Sequence, residues 1–290
     1  MESKGTVVGI VGLGLIGGST AIKLKEAGFA TTIVGVDNSA KNEAKALELG
    51  IIDERLPLAK MQHKADVIII AIPVNASKNL LLGLLDNAQE NQVIIDFGST
   101  KARIAEAVKN HPNRPNYVAC HPIAGTENSG PMAAFSALFN EKVNIICDKN
   151  LASTKALETA LEITALLGMR PKFMNSKAHD RHIAYVSHLS HISSFTLGQT
   201  VLEVEPDEEN IFDMAGSGFE STVRLAKSSP TMWAPIFTEN SENIIEVLSA
   251  YIANLEKYKL MIEEGNEIAL QEAMKQTNRI RNVLDKSPNN

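Results

Sequence analysis

Six residues, Gly12-Leu13-Gly14-Leu15-Ile16-Gly17, constrain the fold of this chain more than any other feature. They join a β-branched run, residues 6–11, to a segment of helical periodicity, residues 17–27. A G-x-G-x-x-G turn in that setting opens a βαβ unit. Its first glycine permits the tight turn, its second lets the backbone approach a pyrophosphate, and its third lets helix and strand pack closely. The helix N-terminus, with the amides of Leu15 and Ile16, then supplies donors and a positive dipole.

The beat continues along the first half. Residues 31–36 are β-branched, and 40–49 are helical up to Gly50. Segment 65–72 is apolar on both faces, as a central parallel strand is, and Pro73 closes it. A helix at 76–85, a strand at 92–96, a helix at 100–108, strands at 116–120 and 143–147, a helix at 153–167 ended by Gly168 and an extended piece at 171–174 follow. Strands alternating with helices give an α/β class: a Rossmann-type, doubly wound parallel sheet with right-handed crossovers. From Ser176 onward the pattern is helical, over 183–202, 223–227, 236–264 and 267–284, with breakers at Pro206, Gly216, Gly218, Pro230 and Gly265. Two domains are expected, 1–174 and an all-α 175–290, with a frayed tail at 286–290.

Asp37 ends the second strand, about 20 residues past the glycine turn, where a carboxylate accepts hydrogen bonds from adenosine ribose hydroxyls. It repels a 2′-phosphate, and Asn38-Ser39 offers no arginine to receive one. NAD is therefore expected over NADP, with Lys41 the one cation close by in sequence. Two more strand ends border the same crevice, Ile72-Pro73 and the segment Asp96-Phe97-Gly98-Ser99-Thr100-Lys101.

Composition excludes other classes. There are 28 Lys+Arg against 34 Asp+Glu, a net charge of −6, and no basic cluster of the kind that holds nucleic acid. No apolar run reaches the roughly 18–20 residues of a membrane span. The N-terminal residues lack the pattern of a signal peptide, and Cys120 and Cys147 form neither a metal motif nor a disulfide framework. A cytoplasmic protein with a small-molecule partner is expected.

The chemistry concentrates in Cys120-His121-Pro122-Ile123-Ala124-Gly125-Thr126-Glu127, again at the carboxyl end of a strand. Hydride leaves a carbinol carbon only as its hydroxyl proton is removed, and a neutral imidazole takes that proton near neutral pH, which singles out His121. The plain alternative is a histidine satisfied by nearby backbone. Ser99 has two compatible readings, hydrogen-bonding the imidazole or the substrate hydroxyl, and capping the helix at 100–108. His188 and His191, three apart, share a helix face, and His179 and His182 on the same expected helix raise the question of a metal. No carboxylate completes a ligand set, so no metal is expected. Arg224, after the turn Ala215-Gly216-Ser217-Gly218-Phe219-Glu220, either holds a substrate carboxylate or pairs with Glu220 at i, i+4. Met232 and Trp233 read as core or interface.

These segments resemble the prephenate/arogenate dehydrogenase family of tyrosine biosynthesis. The matching elements are Gly12 to Gly17 with Asp37, the Asp96–Lys101 segment, His121-Pro122-Ile123-Ala124-Gly125-Thr126-Glu127, His179-Asp180, Ser187-His188-Leu189-Ser190-His191, and Gly218-Phe219 leading to Arg224 and Met232-Trp233. The resemblance implies NAD-dependent oxidative decarboxylation of a cyclohexadienol, prephenate or arogenate. His121 is the implied proton acceptor, with Ser99 orienting it. Arg224 is implied to bind a carboxylate, His191 and His188 to lie near the substrate's side-chain end, and Thr126 and Glu127 to line the pocket. The family's helical domain forms a homodimer, which the long C-terminal helices here suit. His121, His188, His191 and Arg224 together are expected to offset the net negative charge where the carboxylates lie. One departure is Ser221, where many relatives carry an aspartate of an ionic network. With the chain ending near residue 290, no fused regulatory domain is expected. A non-catalytic NAD sensor would keep the glycine turn but have no use for His121, Ser99 and Arg224.

Overall fold

The computed structural model describes residues 5–208 and 210–284, so the 286–290 tail lies outside the described residues. The chain divides into two compact units, Met1–Asn240 and Ser241–Asn290.

The first unit is built on eight strands: β1 (Thr6–Val11), β2 (Ala30–Val36), β3 (Glu54–Arg55), β4 (Val67–Ile70), β5 (Val93–Asp96), β6 (Tyr117–Pro122), β7 (Val143–Cys147) and β8 (Arg170–Met174). They form one sheet in the order β3-β2-β1-β4-β5-β6-β7-β8. Helices α1 (Leu15–Glu26), α2 (Ala40–Glu48), α3 (Leu58–Lys64), α4 (Val74–Asp86), α5 (Ala102–Val108) and α6 (Thr154–Leu166) connect them. Ser39 and Ser153 start α2 and α6 by accepting the amides of Asn42 and Ala156. Because side chains alternate across a strand, the sheet feeds two cores. Val8, Ile10, Ile69 and Ile95 meet Leu24 of α1 and Ile163 of α6 on one face. Val11, Ile68, Ile70 and Ile94 meet Met61 of α3 and Leu81 of α4 on the other. Burial on both faces explains why the central strands read as unbroken apolar runs.

Two features of the sheet region depart from the sequence reading. A short edge strand and helix, β3 and α3, lie between α2 and β4; a charged two-residue strand carries no periodicity to detect. The sheet is also not wholly parallel, because β7 runs antiparallel to β6. Between Pro122 and Val143 the chain forms only short 3₁₀ turns, Pro131–Ala133 and Ser136–Phe139, and without a crossover helix a strand returns antiparallel. The pair β7 and β8, joined through α6, is parallel again.

After β8 come α7 (Ser176–Ile183), α8 (Leu189–Val204), α9 (Ser217–Val223) and α10 (Pro230–Glu239). Helix α7 packs on α5 and α10 on α4, so the first compact unit extends past the 174/175 division drawn from the sequence. The expected continuous helix at 183–202 is interrupted: Ala184–His188 is a π-helical turn between α7 and α8. Such wide turns recur at functional sites. The helix expected over 223–227 starts earlier, as α9, and tightens into a 3₁₀ turn at Arg224–Lys227. The second unit consists of α11 (Ser241–Glu263), α12 (Glu267–Thr277) and α13 (Ile280–Leu284).

Candidate active site

The glycine turn sits where β1 lies between β2 and β4, the point at which the sheet's connections diverge and a crevice opens beyond the strand ends. Gly12 has φ +95°, and a Cβ there would fall on the carbonyl oxygen of Ala71. A Cβ on Gly17 would fall on the carbonyl oxygen of Gly12. At Gly14, the residue preceding α1, a Cβ would meet nothing within 4 Å. The backbone is thus bare on the side where a pyrophosphate approaches, and the first-turn amides of α1, including Ile16, have no intrahelical acceptor. Asp37 follows β2, and its carboxylate accepts Leu13 N and Ser39 N at 2.8 Å each. The acid and the turn are therefore one rigid piece, a link the sequence did not reveal. Asn42 Nδ2 also approaches Oδ1 of Asp37, at 3.4 Å, which leaves about one of the roughly four acceptor positions of a carboxylate for a ribose hydroxyl. Ile72 lies against Gly12, and Pro73 precedes α4. These residues fit NAD. With its carboxylate pinned, Asp37 cannot turn away from a 2′-phosphate, so NAD is expected to bind at least about tenfold more tightly than NADP, roughly the effect of one close like-charge contact. Titration with both dinucleotides checks this, and equal affinity would exclude Asp37 as the discriminator.

His121 occupies the carboxyl end of β6, half-buried. Its Nδ1 lies 2.8 Å from Nε2 of His179, and His179 Nδ1 lies 2.7 Å from Oδ1 of Asp180. Loss of water, then the facing His179, Lys101 and His188, holds the His121 imidazole well below the usual histidine pKa. It is neutral at pH 7 and able to accept a proton.

Ser99 lies half-buried in the loop after β5 but makes no hydrogen bond to His121; the imidazole nitrogen it was expected to orient is held by His179. Nor does Ser99 cap α5. The helix starts at Ala102, and Asp180 of α7 accepts the amides of Lys101 and Ala102 at 2.7 and 2.8 Å. The loop is fixed at its other end by Lys101, whose buried ammonium pairs with Asp96.

His188, at the end of the π turn, is 1% exposed. Asn240 Nδ2 approaches its Nδ1 at 3.2 Å, and its ring packs edge-on to Trp233. His191 stacks on Trp233 with ring centroids 3.5 Å apart, and its Nδ1 lies 3.0 Å from the Ser187 carbonyl oxygen. Trp233 is buried, with Nε1 unpartnered. Burial lowers the His191 pKa, as does the nearby Arg224. All three histidines are therefore neutral at pH 7, which corrects the expectation that they supply positive charge; Arg224 and Lys227 supply it. Those two cations line a cleft of about 300 Å³ together with Glu127, Ser217, Glu220 and Ser221. Glu127 and Arg224 are thus brought together from distant segments. Thr126, exposed, holds the turn before Glu127 by accepting Asn128 N at 3.2 Å. The i, i+4 alternative for Arg224 is not realised, since Glu220 forms no ion pair with it. Ser221 turns back onto the Gly218 carbonyl oxygen, and Glu220 stands in the cleft wall.

Burial pushes the His188 pKa down to about 4, against 6.5 for a free histidine, with His179 and His191 adding to the fall and Asp180 opposing it. The unfolded chain binds this proton first, so stability present above pH 6.5 is lost as pH falls towards 4. At 1.36 kcal/mol per pH unit the loss is on the order of 3 kcal/mol. Urea midpoints between pH 7 and 4.5 should fall more steeply for the wild type than for His188→Asn; parallel slopes would contradict a buried neutral His188.

A pinned glycine turn that fits a dinucleotide, a neutral histidine at the end of β6 and a separate cationic cleft are the features of an NAD-dependent oxidoreductase. Sequence models of the prephenate dehydrogenase nucleotide-binding domain and dimerization domain match residues 20–172 and 175–276. The chain is 31% identical to the prephenate dehydrogenase of Bacillus subtilis over 272 residues, covering 91% of this chain and 71% of that one. It is 29% identical to the cyclohexadienyl dehydrogenase of Zymomonas mobilis over 284 residues, covering 96% and 95%. Its fold matches the crystal structure of prephenate dehydrogenase from Aquifex aeolicus in complex with hydroxyphenyl propionate and NAD+, with TM-score 0.89, 31% identity, and 98% and 100% of the two chains covered. The chain belongs to the prephenate dehydrogenase family. Among the described residues no helix is long and apolar enough to cross a membrane.

Proposed function

We propose that this chain converts prephenate to 4-hydroxyphenylpyruvate and carbon dioxide in tyrosine biosynthesis, with residues 1–174 binding NAD and 175–290 binding substrate and dimerising. The observation that carries the reading is His121, neutral, held through Nδ1 at a strand end and left with Nε2 as its free nitrogen. NAD, which the Gly12–Gly17 turn and Asp37 would hold, would supply the hydride acceptor for the ring carbon that bears the hydroxyl. His121 takes the hydroxyl proton at the same time. The ring carboxylate then departs as carbon dioxide, its bonding electrons enter the ring, and His121 returns the proton to the resulting phenolate. Ser99, in the loop after β5, would hydrogen-bond the substrate hydroxyl and border the bound NAD. Arg224 holds a carboxylate, with His191 at the side-chain end, and Thr126 and Glu127 line the pocket. His188, beneath Trp233, supports this wall from inside. The Aquifex relative, described with hydroxyphenyl propionate, supports a ligand of this shape.

Arogenate is the second reading. It carries an ammonium where prephenate has a keto group, and Glu127 and Glu220 in the cleft give that ammonium counter-charges. Following NADH formation with prephenate, arogenate and a simple hydroxyacid separates these cases; no signal with either cyclohexadiene would defeat the proposal. Arg224→Ala should raise KM for the cyclohexadiene by on the order of 10²-fold, the worth of a charge-assisted bidentate contact, and change kcat little. An unchanged KM would remove Arg224 from substrate binding.

The working form is read as a homodimer through the C-terminal helices. Ile245, Ile252, Leu255 and Leu260 of α11 and Ile268 and Met274 of α12 are exposed apolar residues of the kind that a partner subunit covers. A cytoplasmic location agrees with Cys120 and Cys147, both free, buried thiols.

A further inference from the structure

The atoms behind His121 fix where its proton sits. Oδ1 of Asp180 accepts the Lys101 amide at 2.7 Å and lies 2.7 Å from His179 Nδ1, while Oδ2 accepts the Ala102 amide at 2.8 Å. A carboxylate has no proton to donate, so the proton of the histidine contact is on His179 Nδ1. With one proton on each of the two facing rings, the proton on Nδ1 leaves Nε2 of His179 a lone pair. That atom is the one 2.8 Å from His121 Nδ1. The contact therefore requires a proton on His121 Nδ1, and the lone pair of His121 falls on Nε2.

We propose that His179 and Asp180 are positioning residues that lock His121 in the Nδ1–H tautomer, so that Nε2 is always the proton-accepting atom. The inference rests on the proposed role of His121. An imidazole in water prefers the opposite tautomer, with the proton on Nε2, and in that form the outward nitrogen has nothing to accept a proton with. His179 and Asp180 are each 1% exposed, so water does not compete for these contacts. The backbone of Asp180 is itself held, its carbonyl oxygen accepting Asn240 Nδ2 at 2.7 Å. The same carboxylate caps α5, so the Ser99 loop and the His121 ring are set by one group. The arrangement is the orienting-acid logic of a catalytic triad extended by one imidazole.

The test has two readouts. Long-range ¹H–¹⁵N NMR of the imidazoles in the dinucleotide-free protein reports tautomers directly, with the His121 signals assigned by their loss in His121→Asn. The wild type should show His121 as Nδ1–H, and His179→Ala should move it towards Nε2–H. A glutamine amide offers an acceptor oxygen beside a donor NH2 group, so with the oxygen turned to His121, His179→Gln should keep the Nδ1–H form. In turnover, His179→Ala should lower kcat by on the order of 10²-fold, the usual worth of a correctly placed general base, with KM and NAD affinity within about threefold. His179→Gln should recover kcat to within about fivefold of wild type. A wild-type His121 protonated at Nε2, a His179→Ala enzyme with near-normal kcat, or a His179→Gln enzyme as slow as His179→Ala would each overturn the proposal. If neither cyclohexadiene is turned over, the functional reading fails, and the tautomer lock is still decided by the NMR.

Discussion

His121→Asn should lower kcat by on the order of 10²-fold or more while leaving NAD affinity within about twofold, because a general base contributes roughly 10²–10⁴ to the rate. Asparagine retains a polar group that can reach His179, so the site stays assembled, yet its amide cannot accept a proton. NAD affinity should be spared because the proposed dinucleotide contacts are the Gly12–Gly17 turn and Asp37, at β1 and β2, whereas His121 is on β6. Single-turnover absorbance at the NADH wavelength and a fluorescence titration of NAD measure the two quantities separately. A near-normal kcat would end the proton-acceptor role, and a parallel loss of NAD affinity would recast His121 as a structural residue.

The pH profile carries the same argument with a definite sign. With His121 as the proposed proton acceptor, activity should be present above the imidazole's pKa and lost as pH falls through it. Burial lowers that value first, and the groups facing the ring, His179 and Lys101 and His188, lower it further. Asp180 faces it only through His179. The acid limb of kcat/KM should therefore lie below pH 6.5, with the enzyme still active at pH 6, where an ordinary histidine is mostly protonated.

Much of the sheet was legible because its signals are local. Strand alternation, the glycine turn and the closing Pro73 are each written within a few residues, and β1, β2 and β7 fall within a residue of where periodicity put them. The antiparallel β7 was not legible, since its direction depends on what the 122–143 connection fails to form. The site divides in the same way. His121 and Arg224 stood out through their own neighbourhoods. The partner of His121 did not, because His179 is 58 residues away in sequence and meets it only through the packing of α7 on α5. His179-Asp180 was visible as a motif, but adjacency of the two residues says nothing about which ring the imidazole faces. The cap of α5 was missed for the same reason. A serine before a helix is the usual local solution, and here a carboxylate 78 or 79 residues distant takes its place. The charge of the histidines was misjudged because burial, which decides it, has no sequence signature.

Lys101→Ala should destabilise the protein by about 3–5 kcal/mol, the range for removing one partner of a buried ion pair. Lys101 and Asp96 are 0% and 1% exposed, and their charged groups are in direct contact. Asp96 is otherwise held by the Gly98 amide at 2.7 Å and the Tyr117 hydroxyl at 3.1 Å. Burial and the adjacent Asp96 keep that hydroxyl protonated far above the usual tyrosine range, so it serves as a donor. Two neutral donors do not replace an ammonium, and truncation leaves a carboxylate under the sheet end with no countercharge. The cost therefore comes from the stranded Asp96 and not from the pair's own attraction. Lys101→Met combined with Asp96→Asn separates the two, because the asparagine oxygen can still accept from Gly98 and Tyr117. The double variant should recover to within about 2 kcal/mol of wild type, since replacing a buried pair as a whole is often near neutral. Urea unfolding at pH 7 measures all three proteins. A loss below about 1 kcal/mol for Lys101→Ala would place the pair in contact with water. A double variant no better than the single would mean that the ammonium is needed for the shape of the 96–101 loop. In that case kcat should fall with stability in both variants, because the loop that carries Ser99 is tied at Lys101 to the same carboxylate that holds His179.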